Sequence, residues 1–300
     1  MLVIEPQIRT TTGLRYLIVA GCLWGTGGLT GTLLAREGGL SSLGVAAARL
    51  GLGGLLLVAF LVATRQPVPR GRAAWTRVAV LGVLAAEFQA AYFAAVAHTS
   101  VSLATLLTIG ASPVLVLIAE AVTGRRRLSG RVLATAAVAL AGLALLVGVP
   151  ADGLEPGRML AGSGFALLAA AGFATMTLVA ARPVEGLDEL SATGFGFTLG
   201  ALVLAPIAVA GGLSFTATPA SVGLLLFLGL GPTALGYAAY FRGLRTTAAG
   251  TAALMALLEP LVGTALAVLI LGERLGPAGW AGAFLLIVAL AAESRFSDVR

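Results

Sequence analysis

Residues 99 to 128 read TSVSLATLLTIGASPVLVLIAEAVTGRRRL, and residues 246 to 275 read TTAAGTAALMALLEPLVGTALAVLILGERL. The second stretch repeats the first at a displacement of 147 positions: Thr99 falls on Thr246, Pro113 on Pro260, and Arg127-Leu128 on Arg274-Leu275, without a gap. Working outward, the same displacement carries Gly39, Leu40 and Leu43 onto Gly186, Leu187 and Leu190. It also carries Leu52, Gly53, Leu55 and Leu57 onto Leu199, Gly200, Leu202 and Leu204. Leu and Gly coincide cheaply in an apolar chain, but one constant displacement from residue 39 to 128 marks an internal duplication.

The duplicated unit belongs to a bilayer. The chain is 58% hydrophobic and 11% charged, with a mean hydropathy of +1.00, whereas soluble domains are about 45–50% apolar and about 25% charged. Crossing about 30 Å of hydrocarbon takes roughly 20 apolar residues. Ten such stretches are separated by short polar breaks: 14–34, 43–64, 77–97, 101–123, 131–149, 159–181, 191–211, 221–241, 249–271 and 277–293. The expected fold is an all-α membrane protein of ten transmembrane helices with antiparallel neighbours, and no room remains for a soluble domain. The N-terminal apolar stretch is too long for a cleaved leader and reads as the first span.

The net charge of +6 is a topology signal rather than a nucleic-acid footprint. Every basic residue is Arg. With a cytoplasmic N-terminus, the inside segments hold Arg9 and Arg15, then Arg65, Arg70, Arg72 and Arg77, then Arg125 to Arg127 and Arg131, and further on Arg182, Arg242, Arg245, Arg295 and Arg300. Only Arg36, Arg158 and Arg274 fall outside, and Arg49 lies within a span. The positive-inside rule therefore predicts both termini in the cytoplasm. Abundant Ala, Gly and Arg without Lys points to a GC-rich bacterial genome, and so to a multi-pass protein of the bacterial inner membrane. The single Cys22 permits no intrachain disulfide.

Five spans per repeat is an odd number, so the second copy is expected to enter from the opposite side. Loop chemistry agrees: residues 65–77 carry four arginines, while the copy at 211–221 (GGLSFTATPAS) carries no charge. The expected organisation is two inverted five-helix repeats, 1–153 and 154–300, joined by the polar turn PADGLEPG at 150–157.

The second half carries Arg245-Thr246-Thr247-Ala248-Ala249, Leu258-Glu259-Pro260-Leu261 and Leu271-Gly272-Glu273-Arg274-Leu275; the first carries His98 to Ser102, Ala111-Ser112-Pro113-Val114 and Gly124 to Leu128. This order, with Trp24-Gly25 in the first span, resembles the EamA-type members of the drug/metabolite transporter superfamily, including their aromatic and neutral amino acid exporters. The first half departs from the pattern where Arg125 to Arg127 replace the Glu-Arg pair. The resemblance implies an exporter of small metabolites or drugs, with a central cavity lined mainly by helices 1, 3, 4, 6, 8 and 9.

Candidate functional residues are few enough to weigh singly. Pro113 and Pro260 fall near the middle of spans four and nine, where proline removes the bond to the carbonyl four residues back. The carbonyls of Ile109 and Ala256 are therefore expected to be free beside a site or cavity, although a simple packing kink is the plainer reading. Thr105, Thr108 and Ser112 share a face of span four, and Ala252, Met255 and Glu259 occupy the equivalent face of span nine. Hydroxyls there either meet substrate or glue helices together. Glu87 and Glu259 lie near mid-membrane, where a carboxyl faces a cavity, pairs or exchanges a proton. Glu120 reads as an interfacial ion pair, and Arg49 as a snorkelling or paired side chain.

The sparse aromatics gather as Phe88 and Tyr92 with Gln89 on span three, and as Tyr237, Tyr240 and Phe241 on span eight, with Trp24 deep in span one. Such rings suit aromatic or aliphatic amino acids, or flat organic cations. Tyr240 and Phe241 have an interfacial belt as their plainer reading. His98, the only histidine, stands at the outer mouth of span four as a gate candidate or an ordinary loop residue.

An intramembrane enzyme is the competing class. Gly110-Ala111-Ser112-Pro113 has a nucleophile-like serine, but His98 is 14 residues away, about 21 Å along a helix, which excludes a Ser-His pair. The sequence predicts no catalytic residues, metal site or cofactor. The expected partners are the lipid bilayer, a small-molecule substrate (an amino acid or a drug) and protons, with no nucleic acid. Inverted repeats favour alternating access over a channel.

Overall fold

The structure is a computed structural model that describes residues 5–148, 155–212, 214–272 and 274–297, with only the helix path described for 5–11, 271 and 296–297. The expected boundary at 153/154 with most of its connector, and Glu273 of the second terminal motif, lie outside the described residues.

Ten helices are long and apolar enough to cross a membrane. They are α1 (Glu5–Gly38), α2 (Ser42–Ala63), α3 (Gly71–His98), α4 (Val101–Val122), α5 (Gly130–Val147), α6 (Pro156–Ala180), α7 (Glu189–Ala210), α8 (Pro219–Gly243), α9 (Ala249–Ile270) and α10 (Pro277–Arg295). No β-strand occurs among the described residues. Local chemistry sets the ends. Ser41 accepts from the Gly44 N–H at 3.1 Å to cap α2, and Asp188, 147 positions later, accepts from Ser191 at 2.8 Å to cap α7. Gly39 and Gly186, in the turns before these caps, hold φ of +70° and +75°, a region glycine enters without strain.

The packing repeats with the sequence. α3 packs on α6 and α7 as α8 packs on α1 and α2; α4 meets α6 as α9 meets α1; α2 pairs with α7, and α5 with α10. Two crossings are set by glycine. A Cβ on Gly53 of α2 would stand 2.6 Å from the Gly229 carbonyl oxygen of α8, and one on Gly200 of α7 would stand 2.8 Å from that of Gly82 on α3. Positions 53 and 82 map onto 200 and 229, so the two crossings are one design used twice.

Loop contacts define two ends of the bundle. At one, the α1–α2 and α7–α8 connections meet: the Thr216 N–H donates to Gly38 O at 2.9 Å, and Ser214 Oγ to Gly39 O at 3.0 Å. At the other, the α2–α3 and α6–α7 connections meet through the Arg70 N–H and Gly186 O, 3.0 Å apart. α2 and α7 consequently run in opposite directions.

Two helices depart from regularity midway along their length, while a third with a central proline does not. α4 passes through Pro113 unbroken. α9 is interrupted at Ala256 and Leu257, where the Glu259 N–H donates to Ala256 O at 3.0 Å. The Ala256 carbonyl expected to be free is therefore satisfied within a tighter turn. α8 widens to a π-helix over Gly229–Leu235 around Pro232, and Thr233 Oγ1 closes on Leu228 O at 2.8 Å. Wide turns of this kind are concentrated at functional sites.

Candidate functional site

A cavity of about 480 Å³ enters the bundle between the two halves. It is lined by residues 24–35 of α1, 42–49 of α2, 88–96 of α3 and 101–112 of α4, always the part of each helix nearer the α1–α2 and α3–α4 connections. It reaches the surface at Ser42 and Val101, the latter 62% exposed. This is the open end. Gly27, Gly28 and Gly31 line the α1 wall, and a Cβ on Gly28 would meet nothing within 4 Å.

Aromatic rings form the floor. Trp24 lies 4.8 Å from Tyr237, 4.9 Å from Tyr240 and 5.9 Å from Phe173 between ring centroids, and Phe173 lies 5.7 Å from Phe88. Tyr240 and Phe241 are buried in the core, not in an interfacial belt, and Tyr240 Oη sits 3.0 Å from Thr177 Oγ1. Gly25, the partner of Trp24 in the Trp-Gly pair, lets α9 approach α1: a Cβ there would stand 3.0 Å from Glu259 O.

Beneath the floor the bundle is shut by ion pairs. Arg126 Nη2 bonds Glu293 at 3.1 Å, and its Nη1 lies 3.4 Å from Thr251 Oγ1 and 3.9 Å from Glu120. Glu120 in turn accepts from the Gly250 N–H at 3.1 Å, so α4, α9 and α10 are tied together. In a second network Glu189 holds Arg242 at 3.1 Å and Arg245 at 2.5 Å, and Arg77 donates to the carbonyls of Val179 and Arg182. Glu120 thus pairs as expected, but it is buried at 6% exposure.

Of the residues singled out in the sequence, Trp24, Phe88, Gln89, Tyr92, Thr108, Ser112, Tyr237 and Glu259 line the cavity. Thr105 and Met255 do not. Thr105 Oγ1 lies 2.8 Å from Tyr92 Oη and orients that ring, while Met255 is buried in the core. The interruption of α9 turns Ala253 and Ala256 to the cavity with Glu259, in place of the expected Ala252 and Met255. The hydroxyls of α4 are partly spoken for: Thr108 donates to Ala166 O at 3.1 Å, and Ser112 donates to Thr108 O at 2.6 Å and faces Ala170 O at 3.4 Å. They serve as glue to α6 at the cavity wall.

Glu87 lies outside the cavity lining, against Gly172 of α6, and both of its carboxyl oxygens are buried without a hydrogen-bond partner. Pro113 and Pro260 are not in the lining either. His98 ends α3 instead of opening α4, and its ring stacks on Phe165 at 5.6 Å.

Among the wall residues that the sequence reading leaves out of the site, Phe173 and Arg49 stand out. Phe173 joins the floor from α6, four residues before Thr177, whose hydroxyl meets that of Tyr240. Arg49 of α2 does not snorkel: its Nη1 lies 4.0 Å from where a Gly27 Cβ would stand, inside the cavity wall. Arg49 acts electrostatically on Glu259, yet no ion pair joins them within 4 Å among the described residues. The lining also adds α2 to the six helices that the resemblance implied. The described residues hold no group of three His, Cys, Asp or Glu side chains able to bind a metal.

Known proteins resemble this chain in sequence, and a known structure resembles it in fold. The chain is 31% identical over 279 residues to the uncharacterized transporter YwfM of Bacillus subtilis, covering 92% of this chain and 91% of that protein. It is 24% identical over 284 residues to the uncharacterized inner membrane transporter YicL of Salmonella typhimurium, covering 93% of each. A protein of known crystal structure superposes with a TM-score of 0.82 over 96% of this chain and 99% of that one at 19% identity, which speaks to the fold alone. A model of the EamA-like transporter family matches twice, at residues 11–148 and again at 160–292. The repeated match, the ten spans and the relatives agree: the chain is a multi-pass membrane protein of the EamA-like transporter family.

Proposed function

We propose that this protein exports small amphiphilic metabolites, foremost aromatic and hydrophobic amino acids, across the bacterial inner membrane by alternating access. The observation that carries the reading is the ring-lined cavity. Trp24, Phe88, Tyr92, Phe173 and Tyr237 surround a space of about 480 Å³, within the usual range of about 300–1,000 Å³ for small-molecule sites. Their faces suit a flat or branched apolar side chain.

The halves 1–153 and 154–300 form inverted repeats with both termini in the cytoplasm, which makes the open end the outer one. The antiparallel course of α2 and α7, the two glycine crossings and the arginine-rich loops at the closed end support this arrangement. A cavity open at one end and sealed at the other is one of the two states that alternating access requires, and rocking of the halves would supply the second.

Counterflow in proteoliposomes tests the substrate class. Labelled phenylalanine, tryptophan or leucine is expected to exchange against unlabelled amino acid, with weaker competition by cationic dyes. Competition by dyes but by no amino acid overturns the reading in favour of a multidrug exporter, whose cations the ring faces and Glu259 would also hold. Protons are the proposed coupling ion, because the unpartnered Glu87 carboxyl is the kind of intramembrane group that exchanges them. Glu87→Gln is expected to flatten the pH profile of exchange; a profile matching the unsubstituted protein overturns that role.

A further inference from the structure

We propose that Arg49 and Glu259 form a split charge pair that reads the two ends of a zwitterion, the guanidinium taking the substrate carboxylate and the carboxyl taking its ammonium. The inference rests on the amino acid reading above and deepens it by assigning the polar contacts that the ring-lined cavity leaves open.

Arg49 and Glu259 are the charged side chains in the lining of the main cavity, and they approach from opposite halves of the duplication, α2 and α9. An isolated charge at this depth is costly, and buried charges are ordinarily paired. Here the natural partners are both present and yet not joined. Neither side chain makes a hydrogen bond or an ion pair within 4 Å among the described residues, although each lies in the other's field. The same two charges act together on the hydroxyls of Tyr92 and Tyr237, the rings on the cavity wall and floor. Cation and anion thus border one space with the rings.

The guanidinium lies beside Gly27 of α1, a would-be Cβ there standing 4.0 Å from Arg49 Nη1. Glu259 follows directly on the interruption of α9, which groups it with Ala253 and Ala256 on the cavity face. Ala residues beside the carboxyl leave space next to it. A simple cation would satisfy Glu259 and leave Arg49 facing a charge of its own sign; a simple anion does the converse. A zwitterion satisfies both, and a guanidinium engages a carboxylate through two parallel bonds.

The test uses three compounds that share a benzyl group: phenylalanine, phenethylamine without the carboxylate, and 3-phenylpropionate without the ammonium. Binding to the full-length protein in detergent is read by thermal shift, alongside counterflow of labelled phenylalanine. Unsubstituted protein is expected to prefer phenylalanine over either single-charge analogue by about 10- to 100-fold, the worth of one charged hydrogen-bonding group. Arg49→Gln should erase the preference over phenethylamine, and Glu259→Gln the preference over 3-phenylpropionate. Arg49→Lys retains the charge without the fork and should fall between.

Should a Gln variant fail to assemble, the exchanged pair R49E/E259R carries the same test, with its zwitterion preference expected to return. Equal losses for all three compounds in each variant, or unchanged preferences, overturn the assignment while leaving amino acid exchange intact. Absence of counterflow with every amino acid overturns the proposed function. The thermal-shift series then judges the charge pair separately, with glycine betaine and a phenylalanine dipeptide added as other zwitterions: preference for them over single-charge analogues upholds it, and no such preference overturns it.

Discussion

The open and closed ends of the cavity are built from different materials. At the open end the α1 wall is Gly27, Gly28 and Gly31, small residues that leave space simply by lacking side chains. At the closed end the chain spends its bulky rings and its buried ions: Trp24, Phe173, Tyr237 and Tyr240 in a layer, then Arg126 between Glu120 and Glu293. An opening needs nothing directional, whereas a closure that must later release depends on contacts that break together. Ion pairs and hydrogen bonds between helices have that property, because removing one member leaves the others unsatisfied.

The largest expected effect comes from undoing the open end. Gly28→Phe places a ring in empty space, so exchange of labelled phenylalanine in proteoliposomes should fall to background while the protein still assembles and purifies as before. A variant that exchanges normally would mean that the cavity is not the path. At the closed end, Arg126→Ala leaves the carboxylates of Glu120 and Glu293 without their shared cation. A loss of about 3 kcal/mol is expected, as for other broken buried pairs, and thermal unfolding in detergent measures it. The smallest effect belongs to the wall between. Ser112→Ala removes a hydroxyl that bonds Thr108 O and faces Ala170 O, so stability should drop by about 1 kcal/mol. Substrate affinity should move less than tenfold; a larger loss would return Ser112 to substrate contact.

For nine of the ten spans the apolar stretches in the sequence match the helices to within six residues at either end, the third being 77–97 in the sequence and Gly71–His98 in the structure; the first helix begins nine residues before its apolar stretch, at Glu5. Length and apolarity decide a membrane helix, and both are local properties. Which face a residue presents is another matter. Thr108 and Met255 are equivalent under the displacement of 147, yet only Thr108 reaches the cavity, because α9 breaks at Ala256 and α4 does not. Proline stands at the same place in both helices, so proline alone does not dictate the break. Arg49 keeps two readings in the sequence, snorkelling or paired, for a related reason. A cation a few residues inside a span can escape to the interface or turn inward, and the choice depends on what other helices place around it, here a cavity wall with Gly27 beside the guanidinium. Glu259 and the aromatic cluster were recoverable because a carboxyl, or several rings, in a lipid-length apolar helix is conspicuous without knowing its neighbours.

The wide turn in α8 has one more effect. Leu228 and Tyr237 both line the cavity, although they are nine residues apart. In an α-helix nine residues make two and a half turns, and the two side chains would point in opposite directions. The π segment at Gly229–Leu235 absorbs the missing half-turn. It works as a phase shifter: whatever lengthens or shortens it by a residue swings Tyr237, and with it the seat of Trp24, around the helix axis. The position of the floor is then encoded in the pitch of one short stretch of backbone, and a motion that converts π to α there would raise or drop that floor without displacing either end of the helix far.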